Sequence, residues 1–417
     1  MRLTLVNSEA EQPKRWFIPH DKEGMMMFVR RKRESGWDVA DESEKRCRLG
    51  CAIAIGLCAA IVVAVAQGAD AQVATAVQSG PATAVPVAPG GLPTNLPGVV
   101  TFPAPPADLD VLSAPDALLA RYGIPPRPKA PEALAAWQRA MATPHKRIMP
   151  VLEQTNIFHG PARLVPGRPA VQVTNPGAPT AGPFFQQTYN WSGWAIYDPN
   201  LPWRPNGNNT TAVNLAEYSV PVGRVAFGTC PTTERYSAQW VGIDGFVSQD
   251  TLQSGTEVDA YNDCAGSFAY YTAWFEWYPN PEIRITNFPI APGDYILVEV
   301  FNTAPSTGCS FILDFSRNAS VTVCFSAPPN TSLVGDTVEW IVERPVVNGV
   351  LSSLTNYIDV IWPIALAEST SNVYFPGSTP TGSNFQLEML DNSNNDISDC
   401  SLINFFAVEC FNTGSSL

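Results

Sequence analysis

Short runs of β-forming residues dominate the chain from about residue 185 onward. The runs are rich in Val, Ile, Tyr, Phe, Trp and Thr, and Gly, Pro, Asn and Asp separate them. Strands at this spacing, without a long amphipathic helix between them, predict an antiparallel β-sandwich or barrel. The predicted strands are Ala212–Val222, Ser237–Ile243, Ala269–Tyr278, Tyr295–Phe301, Phe311–Phe315, Val321–Phe325, Thr337–Val342 and Phe405–Cys410.

Two of these strands carry carboxyl groups on one face. Because side chains alternate along a strand, Glu339 and Glu343 share a face of theirs. Trp274, Glu276 and Tyr278 share a face of their strand for the same reason. Carboxyl groups flanked by apolar residues are costly inside a core and natural in a cleft. The pattern therefore predicts an open concave surface that bears carboxyl groups and aromatic rings.

The pattern before residue 180 is different. Residues 72 to about 105 are mostly Ala, Pro, Val and Gly with almost no charge, which is typical of an extended linker that forms no core. Asp116 to Tyr122 predicts a short helix. Residues 130–141 predict a second helix, with Leu134, Trp137 and Met141 on one face.

The segment Leu49 to Ala66 is apolar and follows a basic stretch, and Ala69-Asp70-Ala71 offers a cleavage site of small residues. These features predict a secretory signal peptide and a secreted protein. The alternative is an uncleaved membrane anchor, since about 18 apolar residues are borderline for spanning a bilayer. We divide the chain into an N-terminal extension with signal peptide or anchor at 1–71, a Pro-rich linker or propeptide at 72–180 and a β-sandwich domain at 181–417.

Charge is unevenly distributed along the chain. The formal net charge is -13, and residues 181–417 contain six Arg, no Lys and no His against 23 Asp and Glu. Such a domain repels nucleic acid and anionic lipid, so neither is expected as a partner. The missing imidazole excludes Ser-His-Asp and Cys-His catalysis and His-ligated zinc from the domain itself. No metal site is predicted.

Cysteine usage fits export. Six cysteines follow the apolar segment, an even number that favours disulfides over free thiols in an exported β-rich domain. Six cysteines allow 15 pairings. The short separations favour Cys309–Cys324, Cys400–Cys410 and Cys230–Cys264.

Several segments together resemble the signature of the glutamic peptidases, or eqolisins. They are Asn190-Trp-Ser-Gly-Trp194, Tyr236-Ser-Ala-Gln-Trp-Val-Gly-Ile-Asp-Gly245, Leu252-Gln-Ser-Gly255, Tyr271-Thr-Ala-Trp-Phe-Glu-Trp-Tyr-Pro279 and Val338-Glu-Trp-Ile-Val-Glu343. The resemblance is good over residues 189–345 and weak beyond. It implies a lectin-like sandwich of two packed antiparallel sheets.

The resemblance also implies the site. Gln253 and Glu343 fall on the catalytic pair of the family. The residues that fall on the substrate-binding positions or the carboxyl network around the site are Trp191, Trp240, Asp244, Glu257, Thr272, Glu276 and Tyr278. Glu257 and Thr272 stand where the better-known fungal enzymes carry Asp, so the carboxyl network should differ here. Glu257 is a variant of bacterial-type members.

The expected function is that of a secreted acid endopeptidase that works as a monomer on polypeptide substrates without cofactor or metal. Glu343 would be the base for water and later the acid, and the amide of Gln253 would stabilise the oxyanion. Members of the family are generally made as proenzymes, so the basic, partly helical region before residue 180 is expected to be the chain's own propeptide, removed in acid. The rival hypotheses are a carbohydrate-binding or glycoside-cleaving sandwich that uses Glu276 with Glu343, and a non-catalytic surface domain.

Overall fold

The structure is a computed structural model. It describes residues 90–172, 182–198, 213–221, 223–224, 233–262, 266–304, 306–369, 372–377 and 383–414. The predicted signal peptide or anchor and the predicted Cys230–Cys264 pair lie outside these residues.

Within the described residues there are two α-helices, α1 Asp116–Ala120 and α2 Pro131–Ala142. The strands there are, in chain order, β1 Leu92–Pro93, β2 Val99–Thr101, β3 Lys146–Arg147, β4 Leu152–Gln154, β5 Ile157–Phe158, β6 Val171–Gln172, β7 Phe184–Thr188, β8 Trp191–Tyr197, β9 Val213–Ser219, β10 Gly223–Arg224, β11 Thr233–Ile243, β12 Thr251–Asn262, β13 Ser267–Tyr278, β14 Ile283–Ile285, β15 Tyr295–Ala304, β16 Thr307–Asp314, β17 Ala319–Ser326, β18 Thr337–Glu343, β19 Val346–Val347, β20 Val350–Leu351, β21 Asn356–Tyr357, β22 Asp359–Trp362, β23 Ile364–Glu368, β24 Val373–Tyr374, β25 Ser383–Leu390, β26 Asp396–Leu402 and β27 Val408–Asn412.

Most of these strands form two large sheets, which we call the smaller and the larger sheet; β10 with β21, and β5 with β19 and β20, form two small ones. The smaller sheet has the order β1-β2-β17-β16-β15-β9-β23-β24, with β3 beside β17. The larger sheet has the order β22-β27-β26-β25-β8-β18-β11-β12-β13-β14-β4, with β7 and β6 attached to β25. Neighbours are antiparallel except for β3 with β17 and β7 with β25. The predicted all-β, antiparallel sandwich is confirmed.

The main core lies between the two sheets. Trp340, Val342, Phe275 and Trp277 of the larger sheet pack there against apolar residues of the smaller sheet such as Val298. Burial of such side chains contributes about 1.5–3 kcal/mol each. The opposite faces of the same strands point away from the smaller sheet, and we call this side of the larger sheet the site face. The predicted alternation is confirmed, since Ile341 and Trp274 belong to a separate cluster there.

The region before residue 180 packs against the sandwich. Helix α2 lays Ala133, Ala136 and Ala140 on the outer side of the smaller sheet, against residues that include Phe311. Both predicted helices are present, although the buried face of α2 is made more by its alanines and Trp137 than by Leu134 and Met141. Its small residues allow the helix to lie close to the strands.

Part of the predicted linker is also packed. Residues 92–101 form β1 and β2, and β2 pairs with β17. Val99 and Phe102 are buried, the latter only 1% exposed. The prediction that this segment forms no core is therefore wrong for residues 92–102. They are ordered despite their linker composition, because β2 pairs with β17 and Val99 and Phe102 pack on apolar surface.

Two of the predicted disulfides are confirmed. Cys309–Cys324 joins β16 to β17, and Cys400–Cys410 joins β26 to β27. In each pair the two cysteines are directly opposite each other in adjacent antiparallel strands. None of the helices in the described parts of the chain combines the length and apolar character needed to cross a membrane.

Candidate active site

Adjacent strands at the centre of the larger sheet bring the candidate catalytic residues together. In β11, Ala238 is opposite Glu257 on one side and Glu343 on the other. Side chains in directly opposed positions project from the same face. Gly255 of β12 lies beside Trp240, and a Cβ there would come within 2.0 Å of a backbone oxygen of Gln239. The glycine therefore lets the strands approach while Trp240 lies over the face.

The carboxylate of Glu343 is held by two neutral donors. Trp240 Nε1 donates to Oε2 at 2.9 Å, and Asn190 Nδ2 donates to Oε1 at 3.3 Å. Burial raises the pKa of Glu343, although His159, Trp240 and Asn190 act in the opposite direction. Glu343 is thus a fixed carboxyl group in a low-dielectric setting, which suits a group that takes up and returns a proton.

Gln253 and Glu276 together bind the backbone of His159, a residue of the predicted propeptide. Gln253 Nε2 donates to the carbonyl oxygen of His159. The amide N–H of His159 donates to the carboxyl oxygens of Glu276 at 3.0 and 3.2 Å. Because Gln253 and Glu276 are directly opposed on β12 and β13, their side chains bind both polar groups of one residue.

The side chain of His159 lies in a buried pocket on the same face. Its ring stacks on Trp274 with centroids 3.8 Å apart and an interplanar angle of 15°. Nε2 lies 3.1 Å from Glu257 and 3.4 Å from Glu282, and Nδ1 lies 3.5 Å from Glu343. Burial alone would lower the pKa of His159, but these carboxylates outweigh it and hold the pKa well above its ordinary value. The ring is therefore an imidazolium among carboxylates.

Arg284 on β14 balances the remaining charge of this pocket. Its guanidinium lies 2.8 Å from Glu257, 2.6 Å from Asp259 and 2.8 Å from Glu282. Burial would raise the pKa of Glu257, but His159, Asp259 and Arg284 lower it to about 2. Burial, with the charge of Glu257, raises the pKa of Asp259 and of Glu282. Glu257 is accordingly the anion of this group.

The residues around His159 follow the site face as an extended segment, which we call the threaded segment, residues 157–163. Its start pairs with β19, and the carbonyl of Ile157 accepts the N–H of Glu282 at 2.9 Å. Its end is fixed by Asn190, which donates to the carbonyl of Pro161 at 3.1 Å and accepts the N–H of Arg163 at 2.7 Å. The predicted open cleft is consequently covered, and Gln253, Glu276 and Glu343 are buried.

The imidazole of His159 and the two carboxyl groups around it are also a candidate metal site. His159, Glu257 and Glu282 offer donor atoms within 4.8 Å of one another. One imidazole with two carboxylates is a plausible donor set for zinc. However, the other oxygens of both carboxylates already accept from Arg284, and a protonated His159 cannot be a ligand. The ion pairs satisfy these groups without a metal ion.

The other residues singled out in the sequence take different positions. Trp191 packs edge-on against Trp240 with centroids 4.9 Å apart. Thr272 is opposite Glu257 in the strand register. The carboxylate of Asp244 accepts the backbone N–H groups of residues 334–336, which fixes the loop that leads into β18. Asp244 thus positions the strand that carries Glu343, rather than lying beside His159.

Four residues of the site were not identified as site residues from the sequence: His159, Glu282, Arg284 and Asn190. His159 is one of only three histidines in the chain, and it lies outside the β-rich domain. Arg284 is one of six basic residues in a domain with 23 acidic ones. A scarce cation in an acidic domain is a signal that could have been followed, because a buried carboxylate needs a partner.

Comparison with known proteins gives relatives that match part of the chain. Aspergillopepsin-2 of Aspergillus niger is 37% identical over 113 residues, which cover 27% of this chain and 39% of that protein. Scytalidopepsin B of Scytalidium lignicola is 33% identical over 105 residues, or 25% of this chain and 38% of that protein. The chain therefore aligns with about two fifths of the length of these relatives.

A solved structure of scytalido-glutamic peptidase with a transition state analog inhibitor aligns at a TM-score of 0.43 and 23% identity, over 54% of this chain and 98% of that one. The model of the Peptidase A4 family matches residues 189–409, just over half of the chain. This range contains Gln253, Glu276 and Glu343. The resemblance to glutamic peptidases is confirmed, and the chain belongs to the Peptidase A4 family.

Proposed function

We propose that this chain is the proform of an endopeptidase that hydrolyses peptide bonds with Glu343 and Gln253. One observation carries the proposal. The carbonyl of a buried, extended peptide residue accepts a hydrogen bond from Gln253, while the same residue faces Glu343. An amide donor at a carbonyl oxygen and a carboxyl group beside the same residue are the parts that hydrolysis without a nucleophilic side chain requires.

The reaction follows from these positions. Glu343 as carboxylate takes a proton from water, whose oxygen bonds to the carbonyl carbon. Gln253 donates to the oxygen that becomes negative, and its neutral amide keeps this donor at any pH. Glu343 then returns the proton to the nitrogen as the C–N bond breaks. The products are one carboxyl terminus and one amino terminus.

Glu276 and Tyr278 extend the site along the substrate. Glu276 would bind the N–H of the residue whose carbonyl is attacked, as it binds that of His159. The next residue of the threaded segment, Gly160, lies against the ring of Tyr278, where an added Cβ would be 3.3 Å from Cε2. Tyr278 also lines a cavity of about 460 Å³ with Pro279, Asn330 and Thr331. This cavity suits the side chains that follow the cleaved bond.

The threaded segment would then be the inhibitory part of the propeptide. It lies in the position of a substrate and covers Gln253, Glu276 and Glu343, so that another peptide cannot bind there. The proposal supports the boundary near residue 180, since the family match begins at residue 189. With Leu49–Ala66 as the signal peptide, the chain would be exported in this blocked form.

The processed chain is expected to digest denatured casein in mild acid and to keep that activity with a chelator present. The reason is that both reacting groups are side chains of the protein. Release of acid-soluble peptides with and without chelator measures this, and a soluble polysaccharide serves as the parallel substrate. Loss of digestion in the chelator, or release of sugar in place of peptides, would contradict the proposal.

Processing of the full chain is expected in acid and not at neutral pH. His159 has a raised pKa in the folded protein, so its contribution to docking is complete below about pH 6.5 and declines as the pH rises through the raised value. Glu257 has a lowered pKa, so its contribution is present above about pH 4.5 and declines as the pH falls toward about 2. Docking therefore loses the contribution of Glu257 in acid, whereas the raised pKa values of Glu276, Glu282 and Glu343 act in the opposite direction. The expected release in acid therefore depends on protonation of surface carboxylates, which weakens the attraction between the acidic domain and the basic region before residue 180.

Gel electrophoresis of the full chain after incubation at about pH 7 and about pH 4 measures processing, because these values lie above and below the ordinary carboxyl pKa. The chain should shorten at the lower pH alone. The titratable and charged groups around His159 that bear on this result are Glu257, Glu276, Glu282, Glu343 and Arg284. A full-length chain that is fully active at pH 4 would show that the segment is a spacer.

A further inference from the structure

The pocket that holds the His159 ring has a charge and shape of its own, separate from the pair that would carry out hydrolysis. It consists of the Trp274 ring on one side and the carboxylates of Glu257 and Glu282 at the edge, and we call these three residues the acidic subsite. All three are buried. Neither Glu257 nor Glu282 touches the carbonyl that Gln253 binds, so their contacts are with the side chain of the occupant.

Resting on the proposed function, we infer that the acidic subsite makes the enzyme select peptide bonds that follow a protonated histidine. The substrate residue whose carbonyl lies at Gln253 would place its imidazolium where His159 places its own. Water would add to that residue's carbonyl carbon and the C–N bond to the next residue would break. The substrate class is therefore polypeptide with a cationic imidazole before the cleaved bond.

Shape favours an imidazolium over other cations. The flat ring lies nearly parallel to Trp274, 3.8 Å away, so it gains both stacking and cation–π attraction. Its two nitrogens have carboxylates on both sides, Glu257 and Glu282 at Nε2 and Glu343 at Nδ1. A lysine ammonium carries its charge farther from the backbone on a flexible stem, and it cannot stack as a plane.

Charge disfavours a neutral side chain. Glu257 and Glu282 accept from Arg284 with one oxygen each, which leaves Glu257 Oε2 and Glu282 Oε2 pointing at the occupant. A phenylalanine in this place would leave these two buried oxygens without a donor, and a glutamine could offer them only a neutral amide. An unpaired buried polar group costs more than a missing contact on the surface, so the penalty falls on the wrong substrate.

The selection should also depend on pH. The imidazole of a free peptide is protonated below about pH 6.5, and carboxylates ionise above about pH 4–4.5. Both charges coexist between these values, so preference for histidine should be greatest in that window. Glu276 binds the backbone N–H and Arg284 keeps its charge throughout, so neither alters the sign.

The test uses ten-residue peptides with the sequence of residues 155–164, Thr-Asn-Ile-Phe-His-Gly-Pro-Ala-Arg-Leu, in which the histidine is kept or replaced by Gln, Lys or Phe. The processed enzyme is assayed at about pH 5.5, inside the window set by the ordinary pKa values. We expect kcat/KM for the bond after histidine to exceed that after glutamine by at least about tenfold, the scale of one charge-assisted hydrogen bond. The Glu257→Gln variant, which removes the nearer carboxylate and the anion of the pocket, should bring this ratio close to one.

The matched control is Glu409→Gln on β27, which removes one carboxyl group outside the acidic subsite and should leave both rates unchanged. Equal rates for the histidine and glutamine peptides would overturn the inference while casein digestion keeps the proposed function intact. The same holds if none of the peptides is cut but casein is. If neither peptides nor casein are cut, the proposed function itself fails.

Discussion

Replacement of Glu343 by Gln is expected to lower kcat/KM for casein or peptide hydrolysis by a hundredfold or more, the contribution typical of a general base. The variant keeps the shape of the side chain, and its one amide oxygen can still accept from either Trp240 or Asn190, while its NH2 group faces the other donor. What it loses is the ability to take a proton from water and return it to the leaving nitrogen. Initial rates with purified, fully processed protein measure the effect.

Glu339→Gln is the matched control. Glu339 lies on the same strand and the same face as Glu343 and is equally buried, but it is opposite Gly242 rather than Ala238. Burial raises the pKa of Glu339 well above its ordinary value, so a neutral amide replaces a largely neutral acid. The control should retain the wild-type rate. Near wild-type digestion by Glu343→Gln, or the same loss in both variants, would refute the assignment of the base.

Replacement of Arg284 by Met is expected to reduce the free energy of unfolding at neutral pH by about 3–5 kcal/mol, the cost of leaving buried carboxylates without their cation. The Arg284 side chain is only 19% exposed and pairs with Glu257, Asp259 and Glu282. In the wild type, Glu257 stabilises the fold above about pH 4.5, and this stability is lost as the pH falls toward its folded pKa of about 2. In the variant these carboxyls can protonate in acid, so the deficit should shrink there.

Urea unfolding at about pH 7 and about pH 4.5, in a Glu343→Gln background that prevents self-digestion, measures both parts of this expectation. Arg317→Met is the control, because Arg317 is 40% exposed and solvent therefore screens its pairs with the buried Asp294 and Asp314. It should cost about 1 kcal/mol or less. Equal losses in the two variants, or a larger loss for Arg284→Met in acid, would contradict the role of Arg284 as the charge balance of the site.

Much of the fold is predictable from the hydrophobic pattern, and the exceptions lie at the site. The predicted strand at Thr337–Val342 is β18, and the predicted strand at Ala269–Tyr278 lies within β13. By contrast β12, with the sequence TLQSGTEVDAYN, was not among the predicted strands although it carries Gln253. Gln253, Glu257 and Asp259 of β12 face the site, and Ser254 and Thr256 face the smaller sheet, so polar residues lie on both sides of the strand. Neighbouring strands bury it, but its composition alone is typical of a loop.

The contacts of the acidic subsite could not be predicted from the sequence alone. Gln253 and Glu343 are predicted as the catalytic pair because whole segments resemble a known family. Glu282 follows a turn and gains its role only when β13 and β14 pair, which brings Arg284 opposite Trp274. His159 is more than ninety residues before Gln253, in a region with no recognisable motif. Contacts over such separations depend on topology, and local pattern does not encode them.

The anchoring of the region before the threaded segment has a consequence for activation kinetics. If the bond after His159 were cut, the N-terminal fragment would stay bound to the sandwich. Its strands β2 and β3 would still pair with β17, and its strand β4 would still pair with β14. The N–H groups of Lys129 and Ala130 would also remain on the Glu368 carboxylate at 2.9 Å. Hydrolysis would therefore yield a nicked, two-chain complex that migrates as one species under native conditions and as two after denaturation. Dissociation of these strands would then set the lag before full activity. A change that stabilises their pairing would lengthen the lag, even if the rate of bond cleavage stayed the same.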